Sequence, residues 1–288
     1  MTPGTPVAVV VALLLAAGAS LAPPPAYAGP QRLERTGPLA GSTVVIDPGH
    51  QLGNRNFPRR TQRLVPAGGS RKPCNTTGTA TRAGYPEATL NWRVARLLKA
   101  RLVELGARVR MTRHSNRDDR WGPCVDRRGR AGNRIEADLK LSVHADGSEA
   151  AGARGFHVIA PANRRPWTHD IHRPSKRLAR TVRAALRGAG VPVASYTAGG
   201  DGLDVRSDLA TLNLSDVPTV MVELGNMRDA RDARRMTSKR GRTTYARALT
   251  RAVRRYLDRR ALRTSTTFQG RGAEFWAPAE SSTTSEMP

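Results

Sequence analysis

Three stretches of the chain run apolar into a turn and end on a side chain that can do chemistry. In Val44-Val45-Ile46-Asp47-Pro48-Gly49-His50, three β-branched residues lead into a Pro-Gly corner and then a histidine. The segment from Ala137 to Asp146 repeats the design and delivers His144, and Pro218 to Asn226 repeats it with Glu223. Continuous apolar runs of this length, bounded by turn residues, read as strands buried on both faces. Open α/β sheets carry their ligands outside the carboxyl ends of such strands.

Between these runs the period changes to that of a helix. Leu90, Val94, Leu97, Leu98 and Leu105 predict a helix over 86–106, stopped by Gly106. Ala107–Thr112 reads as a strand, Asp126–Glu136 as a short helix and Gly155–Ala160 as a further strand. Leu178, Val182, Ala185 and Leu186 predict a helix over 175–190; Tyr245, Leu249, Val253 and Tyr256 predict one over 243–262. Leu203–Leu214 reads as a turn-rich connection. Gln51–Gly84 shows little periodicity and reads as a long loop, of the kind that forms functional lids or is disordered. Strands alternating with helices predict a single α/β domain: a mostly parallel twisted sheet with helices on both faces.

The chain ends change this picture little. Residues 1–28 carry no charged side chain, and Val7–Ala17 form an apolar run followed by Ala26-Tyr27-Ala28. That is the layout of a signal peptide cleaved near Ala28, too short to span a bilayer. The expected organisation is a signal peptide over 1–28, a lead-in over 29–40, a catalytic domain over 41–263 and a disordered Ser/Thr-rich tail over 264–288. Export would place the protein in the cell wall or periplasmic space, without stable membrane insertion and as a monomer. There, Cys74 and Cys124 are expected to pair, closing a loop worth roughly 3–4 kcal/mol on the chain-entropy model; thiolate metal ligation is the alternative.

Charge narrows the partners. Lys and Arg number 48 against 23 Asp and Glu, a net charge of +25. For an exported protein this points to anionic cell-wall polymers or membrane surfaces. Aromatic residues make up only 5%, so no stacking platform for nucleic acid is evident and none is expected as a partner.

The strand ends suggest one site. Two imidazoles and a carboxylate form a catalytic zinc set with a fourth position left for water, whose pKa zinc lowers toward about 7. His50, Glu87 and His144 would serve as ligands. Glu223, ending its own buried strand, would move protons. Each has a plainer reading: Glu87 as a first-turn acid favoured by the helix dipole, Glu223 as a salt-bridged structural residue. His114, His157, His169 and His172 rank behind as ligands.

Taken together, Val44–His50, Glu87 opening a helix, Ser142-Val143-His144-Ala145 and Val222-Glu223-Leu224-Gly225 resemble the four signature blocks of zinc-dependent N-acetylmuramoyl-L-alanine amidases of the Amidase_3 type. Thr112-Arg113, Gly132-Asn133 and Leu212-Asn213-Leu214 add smaller echoes, and the likeness runs from about Thr43 to Leu257. It implies a secreted autolysin-like hydrolase of peptidoglycan, active in wall remodelling or turnover, with Zn²⁺ on His50, Glu87 and His144 and Glu223 as general base and acid. Asp146 stands where the family often has Asn, and Gly132 where it often has Ala. Some relatives insert a blocking helix before the last block; Ala160–Pro174 is short, so an open site is expected. A zinc peptidase acting on the stem peptide, or a non-catalytic wall-binding regulator, are the alternatives.

Overall fold

Val44 to Pro48 are buried because the strand they form lies inside a six-stranded sheet, flanked on both sides. The computed structural model describes Met1 and residues 36–272. The expected signal peptide and most of the lead-in, and the tail from 273, lie outside the described residues. Residues 36–272 form one compact unit.

The elements follow in order. After β1 (Thr43–Pro48) come a 3-10 turn (Leu52–Asn56), α1 (Pro58–Thr61) and a hairpin of β2 (Leu64–Pro66) and β3 (Arg71–Pro73). Next are α2 (Glu87–Glu104), β4 (Arg108–Met111), α3 (Val125–Arg130), β5 (Leu139–Asp146) and β6 (His157–Pro161). The chain closes with α4 (His172–Arg187), β7 (Leu203–Arg206), α5 (Ala210–Asn213), β8 (Thr219–Asn226), α6 (Ala230–Thr237) and α7 (Lys239–Gly272). The last helix therefore runs past the boundary expected at 263.

The sheet order is β4-β1-β5-β8-β6-β7. The first four strands are mutually parallel, β6 runs antiparallel to β8, and β7 runs parallel to β6. The sheet is mostly parallel, as expected, with a reversed pair at one edge. Side chains alternate across it. Leu139, Leu141, Val143 and Ala145 of β5 and Val220, Val222 and Leu224 of β8 join the main core under α2, α4 and α7. Lys140, Ser142 and His144, with Met221 and Glu223, take the other face, where α3 and α5 pack.

α2 forms because its apolar residues keep one face: Leu90, Val94, Leu98 and Leu102 are all fully buried and each stabilises by about 1.5–3 kcal/mol. Pro86 precedes it, fixed in an extended conformation suited to a helix start. α7 buries Tyr245, Leu249, Val253, Tyr256 and Leu257 against the same core. Cys74 and Cys124 are joined by a disulfide. It ties the end of the β2–β3 hairpin to the start of α3, and the Val125 amide donates to the Cys74 carbonyl beside it at 2.7 Å.

Candidate metal centre

The corner after β1 is held from beneath. His50 adopts φ of +56°, a left-handed conformation uncommon for a residue with a side chain. Two buried guanidiniums secure it. Arg128 donates to the carbonyls of Pro48 and His50 at 2.7 and 2.6 Å. Arg113 donates to those of Pro48 and Gly49 at 3.0 and 3.2 Å, and to Ala88 at the start of α2 at 2.8 Å. Gly49 is required by contact: a Cβ there would lie 2.2 Å from Cε1 of His144.

Asp47 anchors one of these cations. It pairs with Arg128 at 2.6 Å, and Thr112 and Ser142 donate their hydroxyls to it. Burial opposes its charge, yet Arg128 and the two hydroxyls hold its carboxyl well below the usual range.

Glu87 is the first residue of α2 and is buried. Its Oε2 accepts from the Thr79 amide at 3.0 Å; its Oε1 accepts from Asn91 at 3.0 Å and from the Ala145 amide at 3.2 Å. Burial works against the carboxylate, but the imidazoles of His50 and His144 keep it well below the ordinary value. His50 Nε2 lies 3.1 Å from Glu87 Oε2, and His144 Nδ1 lies 3.0 Å from Glu87 Oε1. The two rings meet edge to face with centroids 4.9 Å apart. Among the described residues, His50, Glu87 and His144 are the group whose donor atoms converge, all within 4.8 Å of one another.

The donor chemistry fits a cation. His50 Nδ1 lies 3.0 Å from the Thr76 carbonyl and 3.2 Å from the Thr76 hydroxyl; in the tautomer that donates to the carbonyl, Nε2 carries the lone pair. In that tautomer the lone pair faces a Glu87 carboxylate oxygen, and although burial opposes a charged ring, Glu87 raises its proton affinity. A proton or a metal ion can bridge the two, and an imidazole fixed by its other ring nitrogen is the usual form of a metal ligand. Gly78, at φ of +77°, makes the space: a Cβ there would lie 2.6 Å from Glu87 Oε2. The stretch read as a long loop thus forms a wall of the site, its Thr76–Thr79 backbone supporting two of the three groups.

Glu223 is the ladder partner of His144 on β8. Its Oε2 is buried and has no hydrogen-bond partner. Burial, reinforced by the negative charges of Glu87 and Asp146, raises its carboxyl well above the ordinary value. No arginine pairs with it directly, so the structural salt bridge considered from the sequence is absent among the described residues. The other histidines stay apart from the trio: His114 and His169 are exposed, and His172 bonds the Pro161 carbonyl at 2.8 Å.

Sequence reasoning missed Arg113, Arg128 and Asp47 as the supports of this corner. Two buried arginines carry no distinguishing mark in a chain with 48 Lys and Arg. Asp47, a charge interrupting an apolar strand, was the available signal.

Comparison with known proteins places the chain in a family. Residues 44–255 match the Amidase_3 family, described as N-acetylmuramoyl-L-alanine amidase. The N-acetylmuramoyl-L-alanine amidase Rv3717 of Mycobacterium tuberculosis is 43% identical over 221 residues, covering 76% of this chain and 88% of that protein. The probable cell wall amidase LytH of Staphylococcus saprophyticus is 28% identical, covering 77% of this chain and 60% of that protein. The apo crystal structure of the N-acetylmuramyl-L-alanine amidase Ami1 of Mycobacterium abscessus superposes with a TM-score of 0.70 at 43% identity, covering 76% of this chain and all of that one. With the match extending from β1 into α7 and the strand-end groups gathered in one place, the chain belongs to the Amidase_3 family of N-acetylmuramoyl-L-alanine amidases.

Proposed function

We propose that this protein is a zinc-dependent hydrolase that cuts the amide between the lactyl group of N-acetylmuramic acid and the L-alanine of the peptidoglycan stem peptide, at the cell wall, in remodelling or turnover. The observation that carries the zinc assignment is the convergence of His50, Glu87 and His144, whose donor atoms all lie within 4.8 Å of one another. These three would hold the ion. When bound, zinc would polarise the scissile carbonyl and lower the pKa of the attacking water.

The chain's own residues supply the rest. Glu223 takes a proton from the attacking water and hands it to the departing alanine nitrogen, which must leave as an amine. Its lack of a salt-bridge partner suits this, because a carboxylate tied to an arginine would be a poor proton acceptor. Arg113 and Arg128 keep the His50 corner rigid, so that little reorganisation is needed when substrate arrives. Anionic wall polymers would hold the basic protein near its substrate without taking part in the chemistry.

Purified peptidoglycan digested with and without a chelator, followed by mass analysis of the fragments, tests the reading. The expected product is a stem peptide with a free N-terminal alanine, formed only without chelator and restored by added zinc. Cleavage within the peptide would instead identify a peptidase, and chelator-resistant cleavage would remove the metal. Glu223→Gln should retain zinc and lose turnover, whereas His50→Ala should lose zinc.

A further inference from the structure

His157 opens β6 and lies directly across the antiparallel ladder from Glu223. Ladder partners of this kind present their side chains on one face with Cβ atoms about 4.5–5.5 Å apart. His144 is the partner of Glu223 on its other side, so His144, Glu223 and His157 form a row across β5, β8 and β6. The metal trio uses only the first of them.

The condition of His157 is unusual. It is buried at 4% exposure, and neither ring nitrogen has a hydrogen-bond partner among the described residues; Nδ1 is sealed from solvent. Glu223 Oε2 is in the same state one strand away. A buried polar group without a partner costs about 1–3 kcal/mol, and native proteins rarely leave one without a reason. Here two occupy paired positions on neighbouring strands with no direct hydrogen bond between them, one able to donate and the other to accept. Tyr196 meets the ring edge to face with centroids 6.2 Å apart, and the Tyr196 hydroxyl donates to Asp146 Oδ2 at 2.9 Å. Burial lowers the proton affinity of the ring, so it is neutral and offers one N–H.

We propose that His157 is a positioning residue for Glu223: its ring N–H donates through one bridging water to the Glu223 carboxylate and fixes the oxygen that accepts the attacking water's proton. The proposal rests on Glu223 being the proton carrier. A residue that only filled space at the sheet edge could be replaced by phenylalanine without kinetic effect, whereas a donor could not.

The test uses the zinc-loaded full chain and a soluble muramyl-peptide substrate, measuring kcat, KM, bound zinc and the thermal midpoint for His157→Phe, His157→Gln and Glu223→Gln. The expected result is a fall in kcat of about 10- to 100-fold for His157→Phe, with KM, zinc content and thermal midpoint close to wild type. His157→Gln, which keeps an N–H donor, should recover most of the loss. Three results would overturn the proposal: a His157→Phe enzyme at wild-type speed, a loss shared with zinc content or thermal midpoint, or a glutamine variant no better than phenylalanine. A fully active Glu223→Gln would remove the Glu223 assignment and this proposal with it; an inactive one beside a full-speed His157→Phe removes only the role of His157.

Discussion

Asp47 shows how much a single side chain carries here. Its carboxylate is completely buried and is the partner of the equally buried Arg128, which in turn holds the carbonyls on either side of Gly49. Asp47→Asn leaves that guanidinium uncompensated, a change worth about 3–5 kcal/mol, to be read by urea unfolding at neutral pH. The sign with pH follows from the lowered carboxyl. The unfolded chain takes up a proton near about 3.9, while the folded one resists until lower pH. The stabilisation is therefore complete above about pH 5 and is lost as pH falls through the folded value. The gap between wild type and Asp47→Asn should narrow in acid. At Gly49 the constraint is steric, and Gly49→Ala should displace the His144 ring. The expected outcome is weakened zinc binding, measured by competition with a chromogenic chelator, with secondary structure retained.

At the scale of elements, the disulfide between Cys74 and Cys124 joins a wall of the site to the helix that supplies Arg128. Its removal should lower stability by about 3–4 kcal/mol on the chain-entropy model. It should also loosen the Thr76–Thr79 backbone, so that Cys74→Ala/Cys124→Ala binds zinc more weakly than wild type even well below its unfolding temperature. Isothermal titration with zinc would check this. The strands that build the site were legible in the sequence: β1 and β8 as apolar runs with a polar terminus, and β5 because Leu139, Leu141 and Val143 lead to His144. α2 was legible from Leu90, Val94 and Leu98. β7 was not: Leu203–Arg206 alternates apolar and charged residues over only four positions, and it is half exposed at the sheet edge. β2 and β3, three residues each, owe their pairing to the tertiary setting and not to any period of their own. Of the candidate site, His50, His144 and Glu223 stood out at strand ends, whereas Glu87 rose above a first-turn acid only through the company of the other three and the family resemblance. His157 did not stand out, because its significance depends on β6 running backwards, which no local pattern encodes.

The whole molecule is strongly basic, and the surplus is unevenly matched. α4 carries Arg173, Lys176, Arg177, Arg180, Arg183 and Arg187 and no acidic residue. Such a face attracts polyanions through fields that salt screens, the Debye length shrinking from about 10 Å at 0.1 M to about 3 Å at 1 M. Retention on walls that contain anionic polymers should fall steeply over that range. Hydrolysis of a small soluble fragment, which needs no such adsorption, should change far less; sedimentation assays beside product release would separate the two. No helix among the described residues is long and apolar enough to cross a membrane.

The reversal of β6 divides the sequence around it into two zones of different tolerance. Its entry, not its exit, stands at the rim where the parallel strands finish, and the preceding turn is fastened there by Asn226, which donates to the Ser148 and Ala153 carbonyls, and by Asp232, which accepts from Gly155. A short glycine graft before Phe156 would re-aim His157 and register as lost catalysis in a folded protein. The same graft just after Pro161, at the opposite border of the sheet, would register as lowered melting with the chemistry preserved.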